Sequence, residues 1–364
     1  MKKIISLTLV VLMALCAFVA CGTEDTATTA AQVSGNATEP GATEPTIDEP
    51  VVETLNFGMG TYTVFGEVKN ADGEANGSGE VTATVAAVLV DKDGKIVKCD
   101  IDCVDISVAY TSAGVADVAD EFATKAELGT AYGMAAYGTD LNNDGKVLEW
   151  NEQIDIFEEK IVGKTIDEAK ALVVNGYQAV EEVQTAGCTM GVGDYIKAVE
   201  KAVANATESA ASATDTLKVS VVTAVDAKDA TADTAGAIEL EINMAAAAVA
   251  DGKVTATAVD VAAANFTFDV NGVATTDAAT EIVTKLELGT AYGMAAYGTD
   301  LNNDGKVLEW NEQAAVFTAA CLGKTADEIA ALVVNGYQAV EEVQTAGCTM
   351  GVADIAAAIV KAAK

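Results

Sequence analysis

The stretch ELGTAYGMAAYGTDLNNDGKVLEWNEQ occupies Glu127–Gln153 and returns, letter for letter, at Glu287–Gln313. ALVVNGYQAVEEVQTAGCTMGV does the same at Ala171–Val192 and Ala331–Val352. Both pairs are separated by about 160 residues, so one domain-sized unit is duplicated, and whatever fold one copy adopts the other should share.

Working outward from these blocks, each copy reads as strands followed by helices. In copy 1 an apolar run, Val81 to Val90, is followed by the turn Asp91-Lys92-Asp93-Gly94 and a second run from Ile96 to about Ala109. Asp-Gly between two such runs signals a β-hairpin. Copy 2 repeats the pattern with Ile238 to Ala250, the turn Asp251-Gly252-Lys253, and Val254 to Phe268. The alternation around Ile101, Cys103 and Asp105 is imperfect and leaves open which face is buried. After each hairpin the pattern turns helical. Glu149-Trp150-Asn151-Glu152-Gln153 opens one helix, Thr165-Ile166-Asp167-Glu168 and Thr325-Ala326-Asp327-Glu328 are capping boxes, and further helices start near Val192 and at Ala353. The expected class is α+β: two tandem repeats, each an antiparallel hairpin or sheet followed by packed helices. The boundaries are copy 1 at 55–204, a low-complexity linker at 205–216 and copy 2 at 217–364.

The N-terminus reads as a signal peptide over residues 1–20. Lys2 and Lys3 form its basic region, Ile4 to Phe18 its apolar region, and small Ala20 precedes Cys21. Phe18-Val19-Ala20-Cys21 resembles a bacterial lipobox, which implies a lipidated Cys21 and a protein held to the membrane by its lipid. Residues 21–54 are rich in Thr, Ala, Glu, Asp and Pro, and carry all three prolines of the chain. Such a composition cannot bury enough apolar surface to fold, so this segment is expected to be a disordered tether. The expected location is the extracellular face of the cell membrane.

Composition excludes several function classes. The net charge is −34, from 55 acidic and 21 basic residues. A surface this acidic repels nucleic acid. The sequence has no His, and all its basic residues are Lys. Ser-His-Asp and Cys-His nucleophile systems, His-ligated zinc and bidentate Arg clamps on phosphate are therefore absent. After Cys21 the cysteines are Cys99, Cys103, Cys188, Cys321 and Cys348, an odd set that reads as small buried thiols.

Two motifs in the duplicated blocks carry chemistry. Asp140-Leu141-Asn142-Asn143-Asp144-Gly145-Lys146 and its copy, Asp300 to Lys306, match the first half of a calcium loop. Oxygen side chains stand at positions one, three and five (Asp140, Asn142, Asp144; Asp300, Asn302, Asp304). A glycine makes the turn, and the Lys146 or Lys306 carbonyl follows as the next ligand. The loop looks like those of EF-hands and dockerins, but Leu148 and Asn151 stand at positions nine and twelve. Ca2+ binding and a plain polar turn are both open. The second motif is Thr185-Ala186-Gly187-Cys188-Thr189 and its copy Thr345-Ala346-Gly347-Cys348-Thr349, each ahead of a helix. Backbone N–H groups of such a turn can cradle a phosphate; the alternative is a helix cap with Cys188 packed inside.

With its Asp-Gly-Lys hairpin tips and this turn, each copy resembles the FMN-binding domains of bacterial surface flavoproteins. In that family a Ser-Gly-Ala-Thr turn carries FMN esterified to its last threonine. The resemblance implies FMN at Gly187 and Thr189, and at Gly347 and Thr349, with Ala186 and Cys188 standing where the family has Ser and Ala. It further implies Tyr132, Tyr137 and Trp150 as candidate flavin neighbours. The GMAAYG…EWNEQ…GKT pattern is also similar to repeat lipoproteins of anaerobic Gram-positive bacteria. Two functions follow as expectations: an FMN-carrying electron-transfer lipoprotein with an unknown redox partner, or a non-enzymatic binding or spacer module with an unknown surface ligand, its repeats stiffened by calcium or by nothing.

Overall fold

A computed structural model describes residues 54–138, 140, 145–276, 281–298, 300 and 305–364. The signal peptide, Cys21 and the tether up to residue 53 lie outside the described residues, as do Asn142, Asp144, Asn302 and Asp304. Among the described residues no helix is long and apolar enough to cross a membrane.

The fold is α+β. Copy 1 supplies β1 (Asn56–Lys69), β2 (Gly77–Val90) and β3 (Ile96–Tyr110), an antiparallel meander in which Thr61 pairs with Val85 and Val85 with Asp102. Copy 2 supplies β4 (Thr216–Lys228), β5 (Gly236–Ala250) and β6 (Lys253–Phe268) in the same order. Short strands extend the first sheet at both edges: Ala116–Asp117 beside β3 and Thr207–Glu208 beside β1. The stretch between the copies thus contributes a strand, and it buries Ala211 in the core.

The hairpins stand where the sequence placed them, but each gains a preceding strand, β1 or β4. The near-continuous apolar run of β2 has a simple cause, which is burial of both faces. Val81, Ala83, Val85, Ala87 and Leu89 point into one core, Ala86, Val88 and Val90 into another. The first core is common to the two sheets, because Ile238, Leu240, Ile242, Met244 and Ala246 of β5 fill its opposite wall. Phe65 meets Phe266 edge-on at 5.3 Å, and Tyr110 stacks on Phe268 at 4.5 Å. Tyr110 also anchors its polar end, its hydroxyl donating to the Lys69 carbonyl at 2.7 Å.

Helices cover the outer face of each sheet. On copy 1 these are α1 (Trp150–Ile161) and α2 (Gly193–Ala204), on copy 2 α3 (Trp310–Cys321) and α4 (Ala353–Ala362). In α1, Trp150, Ile154, Phe157 and Ile161 recur at helical spacing and are buried. Both capping boxes expected at Thr165 and Thr325 are present. The molecule is therefore layered helix, sheet, sheet, helix.

α2 crosses β1 at glycines. A Cβ on Gly58 would stand 2.0 Å from the Ala202 carbonyl oxygen, and one on Gly60 2.2 Å from the Ala202 nitrogen. These positions accept no side chain without lifting the helix. Polar links join the copies as well. Lys201 of α2 pairs with Glu287 at 2.5 Å and with Glu281 at 2.8 Å, while Lys361 of α4 pairs with Glu127 at 2.6 Å.

Candidate functional site

The two duplicated blocks meet at one buried side chain. Gln153, in the first turn of α1, is 1% exposed. Its carbonyl oxygen accepts from the Thr189 N–H at 2.8 Å, the Met190 N–H at 3.0 Å and the Thr189 hydroxyl at 3.3 Å, and its amide donates to the Leu148 carbonyl at 2.8 Å. Copy 2 repeats the arrangement through Gln313, Thr349 and Met350, with N–H distances of 2.8 and 2.9 Å. The sequence leaves this turn open between a phosphate cradle and a cap with Cys188 packed inside. Its Thr189 and Met190 N–H groups are not open to a phosphate, because a buried amide carbonyl must be satisfied and satisfies them. The helix expected near Val192 is α2, with Val192 as its N-cap. The short helix Glu181–Thr185 ends before the turn, and α2 starts only at Gly193.

Cys188 is fully buried, and burial pushes its thiol up to about 12; Cys348 behaves alike. A thiol so disposed is a packing group rather than a nucleophile. Gly187 and Gly347 have φ of 121° and 116° and lie against Leu148 and Leu308. They shape the turn and do not face the cleft beside it. Trp150 is core: its indole N–H donates to the Tyr195 hydroxyl at 2.7 Å, with the two rings edge-on at 5.9 Å.

Thr189 does border a cleft of about 640 Å³, together with Lys125, Tyr132, Tyr137, Tyr177 and Tyr195. Tyr137 is 91% exposed and Tyr177 64%, so their rings stand free at the rim. In copy 2 the corresponding Tyr297 and Tyr337 are 91% and 56% exposed, beside Tyr292. Lys125, 8% exposed, is the cation of the cleft. Its ammonium lies 3.0 Å from an Asp105 carboxylate oxygen that also accepts from the Tyr132 hydroxyl at 3.1 Å, and 5.2 Å from the Tyr132 ring centre. Sequence reasoning singled out Tyr132, Tyr137 and Thr189, which the fold brings together. It missed Lys125, Gln153 and Tyr177, although Gln153 and Tyr177 sit inside the duplicated blocks.

At the calcium-like loops, an Asp140 carboxylate oxygen accepts from the Gly145 N–H at 2.9 Å, and Asp300 does the same with Gly305. At the helix entry that follows, Glu149 Oε2 and Asn151 Oδ1 are buried and have no hydrogen-bond partner among the described residues, as is the case for Glu309 Oε2 and Asn311 Oδ1. Buried oxygens left bare cost free energy unless something compensates them, and a hard cation does so. Among the described residues no cluster of three or more acidic or sulfur ligands forms. No protein-family model matches the chain, and neither a curated protein nor a solved structure matches it.

Proposed function

We propose that the chain is a lipid-anchored surface protein that binds a ligand rather than transforming one, through the tyrosine-rimmed cleft of copy 1 and the matching tyrosines of copy 2. The observation that carries this reading is the make-up of that cleft: free aromatic rims over a floor whose lysine is already neutralised and whose neighbouring thiol is buried. Aromatic rims with a few convergent polar groups are the ordinary furniture of a binding site. Anchoring at Cys21 rests on the residues before it, and membrane fractionation of a Cys21→Ser variant tests it: loss of the lipid mass and release from the membrane are expected. Calcium has a structural part in the same reading. Asp140, the Lys146 carbonyl and the bare oxygens of Glu149 and Asn151 suit an oxygen-loving cation, which would brace the entry to α1. Millimolar calcium should raise the melting temperature by mass action, and Asp140→Ala with Asp300→Ala should abolish the rise.

The second reading is the flavin carrier, favoured by one observation: Thr189 borders the same cleft as Tyr132 and Tyr137. Protein from its native host would then absorb at flavin wavelengths and carry an FMN-sized mass on Thr189 and Thr349. An unmodified peptide with no bound flavin would leave the binding reading alone.

A further inference from the structure

We infer that these tyrosine sites take a neutral sugar chain, one site per copy, so that the protein is a bivalent carbohydrate binder. This rests on the binding reading above and names the ligand. Three features of the cleft select the class. Tyr137 and Tyr177 are exposed where they line the cleft, and the half-buried Tyr132 lines it with them. The C–H face of a pyranose packs on such rings, burying apolar area while its hydroxyls remain at the edge. Exposed Gln178 lines the same cleft, and its carboxamide offers both donors and an acceptor to those hydroxyls.

The charge pattern narrows the class further. Lys125, the one cation among the described residues that line the cleft, is paired with Asp105, and the whole chain carries −34, so an anionic ligand meets repulsion. An FMN phosphate meets the same repulsion, and the turn N–H groups that would hold it bind Gln153 instead. A purely apolar ligand would waste the polar floor, which includes Thr189 and Gln184.

Copy 2 keeps the lysine and the rim tyrosines but has Ile355 in place of Tyr195: Lys285 pairs with Glu241 at 2.6 Å beneath Tyr292, and Tyr297 and Tyr337 are exposed. One difference concerns the rim. The Tyr177 ring lies directly over Gly191, where a Cβ would be 2.1 Å from it, whereas the Tyr337 ring stands 3.8 Å from the same point on Gly351. Both positions leave the ring accessible. Two sites on one chain convert a weak contact into firm attachment to a polymer.

The test is calorimetric titration of the full chain with cellohexaose, chitohexaose and xylohexaose, with FMN as a separate arm. At least one sugar is expected to bind with two sites per chain. Replacing Tyr137 and Tyr177 with Ala should leave one site, and replacing Tyr297 and Tyr337 as well should weaken binding at least tenfold at both. These tyrosines are exposed, so an unchanged melting temperature will show the variants folded; Tyr137→Phe keeps the ring and should retain binding. No heat with any sugar overturns the inference, and so does sugar binding that survives loss of all four tyrosines. If FMN alone titrates two sites and the quadruple variant loses them, the sugar is wrong while the tyrosine sites remain binding sites. If no ligand responds to the tyrosines, both readings fall.

Discussion

Helices α1 and α3 begin with the same four letters, Trp-Asn-Glu-Gln, and then part company: Ile-Asp-Ile-Phe-Glu-Glu-Lys-Ile in copy 1, Ala-Ala-Val-Phe-Thr-Ala-Ala-Cys in copy 2. The shared end supplies the glutamine that fixes the turn beside the cleft, and the divergent end packs elsewhere. In copy 1, Glu158 accepts from the Ile101 N–H at 2.7 Å, and Asp100 reaches across to the Val219 N–H of β4 at 2.6 Å. Burial, with Asp100 beside it, pushes Glu158 up to about 9; burial likewise raises Asp100 to about 6. Copy 2 has Thr318 in place of Glu158, and its hydroxyl simply donates to the Ala315 carbonyl of its own helix. The cleft lysine shows the converse. Asp105 on β3 partners Lys125, but Ala263 stands at the matching site of β6, and the acid comes from the cross-strand partner, Glu241 on β5. The packing between layers was free to change, whereas the ion pair under the tyrosines was rebuilt by another route.

The sharpest way to break this comparison is at the helix crossing. Ser220 of β4 occupies the position of Gly60, and its hydroxyl donates to the Ala358 carbonyl of α4 at 2.6 Å. Gly60→Ser in copy 1 should nevertheless cost about 3 kcal/mol, because its Cβ would meet helix backbone. Ser220→Gly should cost only about 1 kcal/mol, the net worth of its hydrogen bond. Urea denaturation of both variants checks this; equal costs would mean that the helices sit at the same height.

Next in size is pH. The folded-state pKa of Glu158, about 9, lies above its ordinary value, as that of Asp100 does at about 6. The folded chain thus holds more protons than the unfolded one, so this stability is complete below the ordinary carboxylate range and drains away as pH rises towards 9. Glu158 keeps some solvent contact, so the loss between pH 5 and 8 should be on the order of 2 kcal/mol. Glu158→Gln should flatten that part of the melting-temperature profile, and Thr318→Val in copy 2 should leave it unaltered.

A smaller effect is expected at Tyr195. Tyr195→Phe removes the acceptor of the buried Trp150 indole and should cost about 1–2 kcal/mol. Ile355 stands in that position in copy 2, beside Trp310, and a shift in fluorescence confined to one tryptophan would separate the two sites. Smallest is Lys361→Gln, which unlinks a half-exposed pair with Glu127 and should cost under about 1 kcal/mol.

The hairpins, the capping boxes and the major helices were legible because their turn chemistry and periodicity are local. β1 was not: Gly58, Gly60 and Gly66 weaken it as a strand, and only the passage of α2 overhead gives the first two a reason. β4 alternates more plainly, but it begins where the low-complexity segment ends, which hid its start. The shared core of the two sheets was invisible too, since nothing in an apolar run says which layer will cover it. At the candidate site the threonine and two tyrosines could be named from the blocks. The glutamine that occupies the turn could not, because a residue about 36 places away in sequence gives no local sign of the contact.

The crossed pairs Lys201–Glu287 and Lys361–Glu127 have the signature of an isologous contact, in which one residue of each half reaches the other's counterpart. Seen this way, the two halves face each other as the protomers of a symmetric dimer would. A half-chain would expose one whole sheet face and need a second half-chain to cover it, at a concentration set by the solution. The fused chain carries its partner with it, so dilution cannot pull the sheets apart.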